Sequence, residues 1–335
     1  MLGKSSCVGL IGGSGFIGTR LAKRLSNKID INLKIIDKVS SFSFPDLSYI
    51  ADVRSMEQLR KYIPLGAVIV NLAAEHRDDV RPLSLYDEVN TGGAINICTV
   101  AREKDVQTII FTSTVAVYGF APIGTDETGK IAPFNDYGRT KYEAEQVFKG
   151  WQAEVPNERT LVIIRPTVVF GEQNRGNVYS LLKQIASGKF VMVGGGENRK
   201  SMAYVENVAA FVEYAMGFEP GVHIYNFIDK PDYTMNSLIV NVNRMLGRSE
   251  KIGFRLPFTI GFLIGKGFDF VAALTGKRFA ISSIRVKKFC ADSVYSTAID
   301  QTGFVPPVLL EQALAKTVRH EFLESHADEG VFYTE

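Results

Sequence analysis

The chain has 335 residues, 46% of them hydrophobic and 22% charged, with a formal net charge of +2. That balance excludes a broadly basic surface for nucleic acid or membrane, and it leaves room for one large α/β unit or two closely packed domains. Three cysteines (Cys7, Cys98, Cys290) without metal-ligand spacing read as free thiols, and the four scattered histidines (His76, His223, His320, His326) give no reason to expect a metal site.

Met1 is followed within ten residues by a strand and a glycine turn, which leaves no room for a signal peptide and predicts a cytoplasmic protein. Cys7–Ile11 is an apolar run that reads as a buried strand. Residues 12–18, GGSGFIG, then carry Gly12, Gly15 and Gly18 into an amphipathic helix over Phe16–Leu25, with Ile17, Leu21 and Leu25 on one face. In such a turn the first glycine permits the tight bend, the second admits a pyrophosphate close to the backbone, and the third lets helix and strand pack. The helix N-terminus at Phe16 and Ile17 attracts the anion. Leu33–Ile36 reads as the second strand, closed by Asp37, 19 residues past Gly18. A carboxylate there accepts hydrogen bonds from an adenosine ribose and repels a 2′-phosphate, so the combination predicts NAD in preference to NADP. Lys38, beside it, is the one feature that would tolerate a phosphate. Asp52 and Val53 end the next short apolar stretch; they read equally as an adenine contact or as a solvated strand end.

Val68–Leu72, Thr108–Thr112 and Leu161–Arg165 are further apolar runs separated by helical stretches. That pattern implies a parallel sheet covered on both faces, a doubly wound Rossmann-type fold. Ser113 and Thr114 follow the strand at 108–112 and offer hydroxyls to a substrate oxygen, although caps at strand ends use the same residues. Residues 137–141 read YGRTK, which on a helix places Tyr137 and Lys141 on one face. A tyrosine is a poor base at neutral pH, but a nearby ammonium and an oxidised nicotinamide both favour the phenolate. Such a pair can take a proton from a sugar hydroxyl while its carbon gives up a hydride.

The second half is less regular. Gly194–Gly196 marks a loop, Val205–Met216 a helix and Leu309–Phe322 a closing helix, and the stretch after Glu324 reads as a polar, poorly ordered tail. The expected division is a cofactor domain at 1–168 to which 203–229 returns, a smaller α/β substrate domain at 169–202 and 230–325, and a tail at 326–335.

Five segments in this order, GGSGFIG at 12–18, NLAA at 71–74, TSTVAVYG at 112–119, YGRTK at 137–141 and RPTVVFG at 165–171, resemble the extended short-chain dehydrogenase/reductase family in its sugar epimerase and dehydratase branch. The resemblance implies Thr114, Tyr137 and Lys141 as catalytic residues and backbone at Ala73 and Ala74 along the cofactor. It also implies Asn90 as a buried helix asparagine behind them, and Pro166 and Thr167 beside the nicotinamide. Four further segments, EHRDDV at 75–80, RGNVYSLLKQIASGKF at 175–190, KSMAYVEN at 200–207 and ISSIRVKKFC at 281–290, are similar to a bacterial subgroup of 4-epimerases. These act on N-acetylglucosamine carried by undecaprenyl diphosphate and supply O-antigen assembly. That similarity implies a diphosphate-linked N-acetylhexosamine as substrate, with His76, Ser113, Arg175, Asn177, Arg199, Lys200 and Arg285 as candidate contacts. Lysine at 200, where many members carry arginine, binds phosphate as a point charge and not as a fork. Each of these cations also reads as an ordinary surface charge. A dehydratase is disfavoured because Val115 and Ala116, not an acidic pair, follow Thr114. A 4-keto-sugar reductase, a nucleotide-linked carrier and a non-catalytic NAD sensor are the competing readings, and a homodimer is the usual assembly of the family resembled.

Leu256–Leu274, LPFTIGFLIGKGFDFVAAL, is broken by Lys266 and Asp269, so no span of the bilayer is expected. Its phenylalanines Phe258, Phe262, Phe268 and Phe270, flanked by Arg255, Lys277 and Arg278, suit either a core helix of the substrate domain or a helix lying in a membrane interface. Composition alone favours the core helix, whereas the subgroup resemblance favours peripheral contact with the cytoplasmic face.

Overall fold

The computed structural model describes residues 6–77, 80–276, 282–326 and 329–334. Strand β1 (Ser6–Ile11) enters helix α1 (Phe16–Ser26) through the glycine turn. Strands β2 (Ile31–Asp37) and β3 (Ser48–Ile50), helix α2 (Met56–Tyr62) and strand β4 (Val68–Asn71) follow. Next come α3 (Ser84–Tyr86) and a π-helical stretch at Asp87–Gly92 that runs on into α4 (Gly93–Glu103). After β5 (Thr108–Thr112), α5 (Asp136–Ala153), β6 (Thr160–Pro166) and β7 (Val168–Phe170), the chain forms α6 (Asn177–Ala186), β8 (Met192–Val193), β9 (Arg199–Tyr204) and α7 (Val205–Ala215). It closes with β10 (Gly221–Phe227), β11 (Asp229–Thr234), α8 (Met235–Met245), β12 (Arg255–Leu256), α9 (Phe258–Thr275), α10 (Ser283–Cys290) and α11 (Leu310–Phe322).

Seven parallel strands form the central sheet in the order β3-β2-β1-β4-β5-β6-β10. The chain therefore winds outward from β1 in both directions, and the crevice between the carboxyl ends of β1 and β4 is the place where such a sheet binds a ligand. The five apolar runs read from the sequence all lie in this sheet. Leu21 and Leu25 of α1 meet Ala209 and Phe211 of α7 over one face. Leu59 of α2, Ile97 of α4, and Phe148 and Trp151 of α5 cover the other. Burying both faces makes the strands continuously apolar.

A second unit holds a mixed three-stranded sheet, β11-β9-β7, and the β8–β12 pair. Its core joins Leu182 of α6, Leu238 of α8, and Leu314 and Val318 of α11 to Phe170, Met202 and Tyr233 of the small sheet. None of these short strands was legible as such in the sequence.

Two expectations are corrected. The stretch after Glu324 is not a loose tail where it is described: Phe332 is 8% exposed and packs against Phe16 and Phe42, with ring centroids 5.6 and 5.5 Å away. Backbone bonds from Arg175 N to the Phe332 carbonyl (2.8 Å) and from Phe332 N to the Gln173 carbonyl (2.9 Å) fix it. Helix α9 is not a core helix either. It buries only Gly261 and Gly265, while Leu263, Phe270 and Leu274 are 68%, 66% and 71% exposed. By length and composition it is the one helix among the described residues long and apolar enough to cross a membrane. Of its flanking cations, Lys277 and Arg278 lie outside the described residues.

Candidate active site

Gly12 adopts φ +74°, and a Cβ there would stand 2.5 Å from the Ala73 amide nitrogen. Only glycine allows the turn after β1 to press against the segment after β4, and this contact places Ala73 and Ala74 beside the glycine turn. A Cβ on Gly18 would strike the Gly13 backbone, whereas one on Gly15 would meet only the Gly12 carbonyl at 3.4 Å. Helix α1 begins at Phe16 with Gly15 as its cap, no side-chain cap and no acidic residue in its first turn. Its first amides are therefore left to satisfy an anion. Asp37, at the end of β2, accepts from Ser14 N (3.0 Å) and Val39 N (3.3 Å). Its partial burial raises its pKa against the lowering effect of these amides. Asp52 is held by Arg54 through both carboxylate oxygens, at 2.7 to 3.1 Å, which lowers its pKa. Val53 is buried against Gly93, and its carbonyl accepts from Asn96.

The chemical residues converge beside this crevice. Thr114 lies just past β5, nearly buried, and its hydroxyl accepts from Ala116 N at 3.1 Å. Tyr137 sits in the first turn of α5, which Asn135 caps by accepting from Gly138 N. Burial of the phenol pushes its pKa up to about 12, against the lowering effect of the neighbouring Thr114 hydroxyl. One turn on, Lys141 is buried with its Nζ 4.1 Å from the Phe111 ring centroid, and burial holds its pKa down at about 7. Each shift has the same main cause: a site closed to water disfavours whichever form is charged.

A buried polar network supports the pair; the resemblance points to Asn90 in it, whereas Glu145 and Arg165 were not singled out from the sequence. Asn90 accepts from Glu75 N (2.8 Å) and donates to the Glu75 carbonyl (3.0 Å) and to Thr140 Oγ1 (2.9 Å), so it ties the segment after β4 to α5. Glu145 and Arg165 form a buried ion pair at 2.6 Å, and Arg165 also donates to the Tyr118 hydroxyl at 2.7 Å. The spacing Tyr137, Lys141, Glu145 is a stripe of one residue per turn, and that signal was available in the sequence. Ser113 lies on this rear side: its hydroxyl donates to Glu145, so it does not serve a substrate oxygen. Pro166 and Thr167 follow on the same sheet, with Thr167 N donating to the Phe227 carbonyl at 3.1 Å.

The candidate diphosphate contacts separate. Lys200 directs its Nζ at the Lys288 and Ala291 carbonyls (2.8 and 2.6 Å), closing the end of α10, and burial lowers its pKa to about 8. Arg175 pairs with Glu321 at 2.7 Å and lies over the Tyr179 ring. Both therefore already have structural work, and neither is a spare cation. Arg199 at the start of β9, Asn177 at the start of α6 and Arg285 on α10 are exposed. His76 stands edge-on to Tyr137 with ring centroids 6.4 Å apart; burial lowers its pKa, and its ring meets the backbone of Ala74 and Thr334.

Residues 8–227 match the model of the NAD dependent epimerase/dehydratase family. The chain belongs to that family. An Escherichia coli O157:H7 protein, N-acetyl-alpha-D-glucosaminyl-diphospho-ditrans,octacis-undecaprenol 4-epimerase, is 46% identical over 97% of this chain and 98% of its own. A Vibrio cholerae UDP-glucose 4-epimerase is 27% identical over 95% of each chain. The fold matches the crystal structure of a Thermotoga maritima UDP-glucose 4-epimerase with a TM-score of 0.73 at 21% identity, covering 95% of this chain and all of that one. It also matches a Bacillus cereus UDP-glucuronic acid 4-epimerase in complex with NAD (TM-score 0.72, 17% identity, 94% and 98% covered). As in other NAD-dependent epimerase/dehydratases, NAD is the cofactor. The groups present fit it: uncapped amides at the start of α1 for a pyrophosphate, the Asp37 carboxylate at the end of β2 as an acceptor, and a glycine turn pressed against the segment after β4.

Proposed function

We propose that the chain is an NAD-dependent sugar 4-epimerase that interconverts N-acetylglucosamine and N-acetylgalactosamine on a diphosphate carrier, with undecaprenyl diphosphate as that carrier. The observation that supports the chemistry best is the convergence of Thr114, just past β5, with Tyr137 and buried Lys141, one turn apart on α5, at the carboxyl end of the sheet that carries the dinucleotide turn. Gly12, Gly15, Gly18, Asp37, Ala73 and Ala74 would hold the cofactor, with Asp52 and Val53 at its adenine and Pro166 and Thr167 at its nicotinamide. NAD bound there would supply the two-electron acceptor, and in the return step the donor, for C4. Thr114 holds the O4 oxygen by its hydroxyl. Tyr137 takes the O4 proton as C4 is oxidised and gives it back as C4 is reduced. Lys141, on the same helix face, lowers the cost of the phenolate and bonds the ribose. Asn90 and Glu145 keep α5 in register with the segments after β4 and β5.

The carrier reading draws on the relative at 46% identity and on the surface of the second unit. Helix α9 is fastened by Gly261 against Val193 and by Gly265 against the start of α10, and it turns its large apolar side chains outward. A second apolar spot lies three residues before Tyr137: Phe120 and Phe134 stack at 5.1 Å, both exposed, under Lys287 and Lys288 of α10. An apolar face rimmed by lysines suits the interface of an anionic membrane, where a polyprenyl substrate resides. The test is a side-by-side assay of the NAD-loaded protein on both carriers. Conversion of the undecaprenyl-linked sugar well above the UDP-linked one is expected, and activity confined to the UDP sugar would overturn the carrier assignment.

A further inference from the structure

His320 and His326, which read as scattered histidines, stack face to face with ring centroids 3.8 Å apart. The nitrogens of both rings meet carboxylates. His320 Nε2 is 2.9 Å from one Glu329 oxygen and His326 Nδ1 is 3.0 Å from the other. The outer nitrogens, His320 Nδ1 and His326 Nε2, face Glu321 and Glu324, each at 3.2 Å. A neutral imidazole has one N–H, so two neutral rings satisfy only two of these four contacts. The other two set a lone pair against a carboxylate oxygen. Protonating both rings would mend that, but it would put two imidazoliums in a face-to-face stack.

We infer that His320, His326 and Glu329 form a binding site for a divalent first-row transition metal, of which zinc is the type case. With the cation in place the proton count closes. Each ring gives its single N–H to its outer carboxylate, Glu321 or Glu324, and turns its inner lone pair to the metal beside Glu329. An outer carboxylate that fixes the ring in this way is the ordinary companion of a metal-bound histidine. One donor atom from each of the three ligands lies within 4.8 Å of the other two. Ligands about 2.0–2.1 Å from zinc stand about 3.3 Å apart along a tetrahedral edge, so binding draws the donors together and tilts the two stacked rings apart until both inner lone pairs meet the ion. The group lines a cleft of about 300 Å³, which leaves room for a water as the fourth ligand.

The site joins α11 to the strand of chain that ends at Thr334. Glu329 also accepts from Gln173 Nε2 at 2.9 Å, and three residues later Phe332 covers Phe16 at the start of α1. Thr334 donates to Asn174 Oδ1, and its backbone meets His76. The metal therefore staples a C-terminal strap across the flank of the dinucleotide crevice, at a place separate from Thr114, Tyr137 and Lys141.

The experiment uses untagged full-length protein, stripped with chelator and dialysed against zinc, with metal and protein counted together. One zinc per chain, held with micromolar Kd or tighter, is expected. His320→Gln and His326→Gln should each lower retention at least ten-fold while unfolding cooperatively like the parent. Cobalt should give the visible d–d bands of a low-coordinate nitrogen/oxygen site, and zinc should slow proteolysis after residue 322. Failure to retain stoichiometric zinc, or retention unchanged in the double variant, would overturn the site. Retention without protection of the strap would overturn its stapling role.

Discussion

Helices α5 and α9 are each 18 residues long, and they invert the usual relation between composition and burial. Helix α5 is the more polar, yet it buries Thr140, Lys141, Glu145 and Gln152. Helix α9 is among the most apolar stretches of the chain, yet it buries two glycines and leaves Phe258, Leu263, Phe270 and Leu274 exposed. Desolvating an ammonium and exposing a row of large apolar side chains are both costly, so each helix departs from what stability alone would select. The departures point to what each helix meets: α5 a reacting carbon beside a cofactor, α9 a surface as apolar as itself.

The largest effect is expected on the α5 side. Tyr137→Phe removes one oxygen, the phenol that neighbours the Thr114 hydroxyl and would carry the O4 proton. Turnover should fall by about 10²–10⁴, the usual span for loss of a general base, while NAD still copurifies and the unfolding transition stays put. If turnover survives the substitution within a factor of a few, the α5 stripe is not the chemical centre and the contrast with α9 loses its functional meaning.

On the α9 side, Leu263→Ser with Phe270→Ser changes two of the most exposed apolar side chains and touches no core contact. Burying each in a lipid interface is worth about 1.5–3 kcal/mol. The pair should therefore weaken partitioning onto anionic vesicles by about two to four orders of magnitude, with the melting temperature unchanged. Equal partitioning of parent and variant in a flotation assay would show that α9 meets something other than lipid.

How legible each helix was follows from the range of the interactions that define it. The glycine turn, Asp37 and the Tyr137–Lys141 spacing are local patterns, imposed by backbone geometry over a few residues or one βαβ unit, and the sequence displays them directly. The network around them is not local. Asn90 bonds Thr140 across 50 positions, Ser113 reaches Glu145 across 32, and Arg175 meets Glu321 across 146. No periodicity encodes such pairs, so Ser113, Arg175 and Lys200 looked like free ligands when each already held a structural partner. Helix α9 misled for a different reason. An apolar period says that a face is buried but not against what, and composition cannot separate a protein core from a lipid interface.

Asp37→Ala probes the cofactor half of the α5 comparison with a smaller effect. Losing a charged hydrogen-bond acceptor should weaken NAD by about 1–3 kcal/mol, roughly 5- to 150-fold in Kd, and narrow the preference over NADP. Titration calorimetry with both dinucleotides measures it. Because Asp37 also accepts from Ser14 N and Val39 N, part of the loss will come from a looser glycine turn. Asp37→Asn narrows the attribution, since its one amide oxygen keeps the acceptor for the shorter bond from Ser14 N, gives up only the longer one from Val39 N, and drops the charge that excludes a 2′-phosphate.

The smallest effect tests the cost of α5 itself. Lys141 has its pKa held down at about 7 by burial, against an ordinary value of 10.5. Below pH 7 both the folded and the unfolded chain carry the proton, and the folded state bears the full desolvation of the ammonium. Between about 7 and 10.5 only the unfolded chain keeps it, so the unfolded state binds more protons and stability climbs with pH through that window. Lys141→Met fills the same volume without the charge. The variant without cofactor should melt a few degrees above the parent at pH 6, and the gap should shrink steadily as the pH is raised towards 10. It should also be inactive at every pH. NAD should reverse the order by stabilising the parent more than the variant, because the bound ribose gives the ammonium the partner that burial denies it. A gap that stays constant with pH would mean that the substitution acts through packing over Phe111 and not through the buried charge.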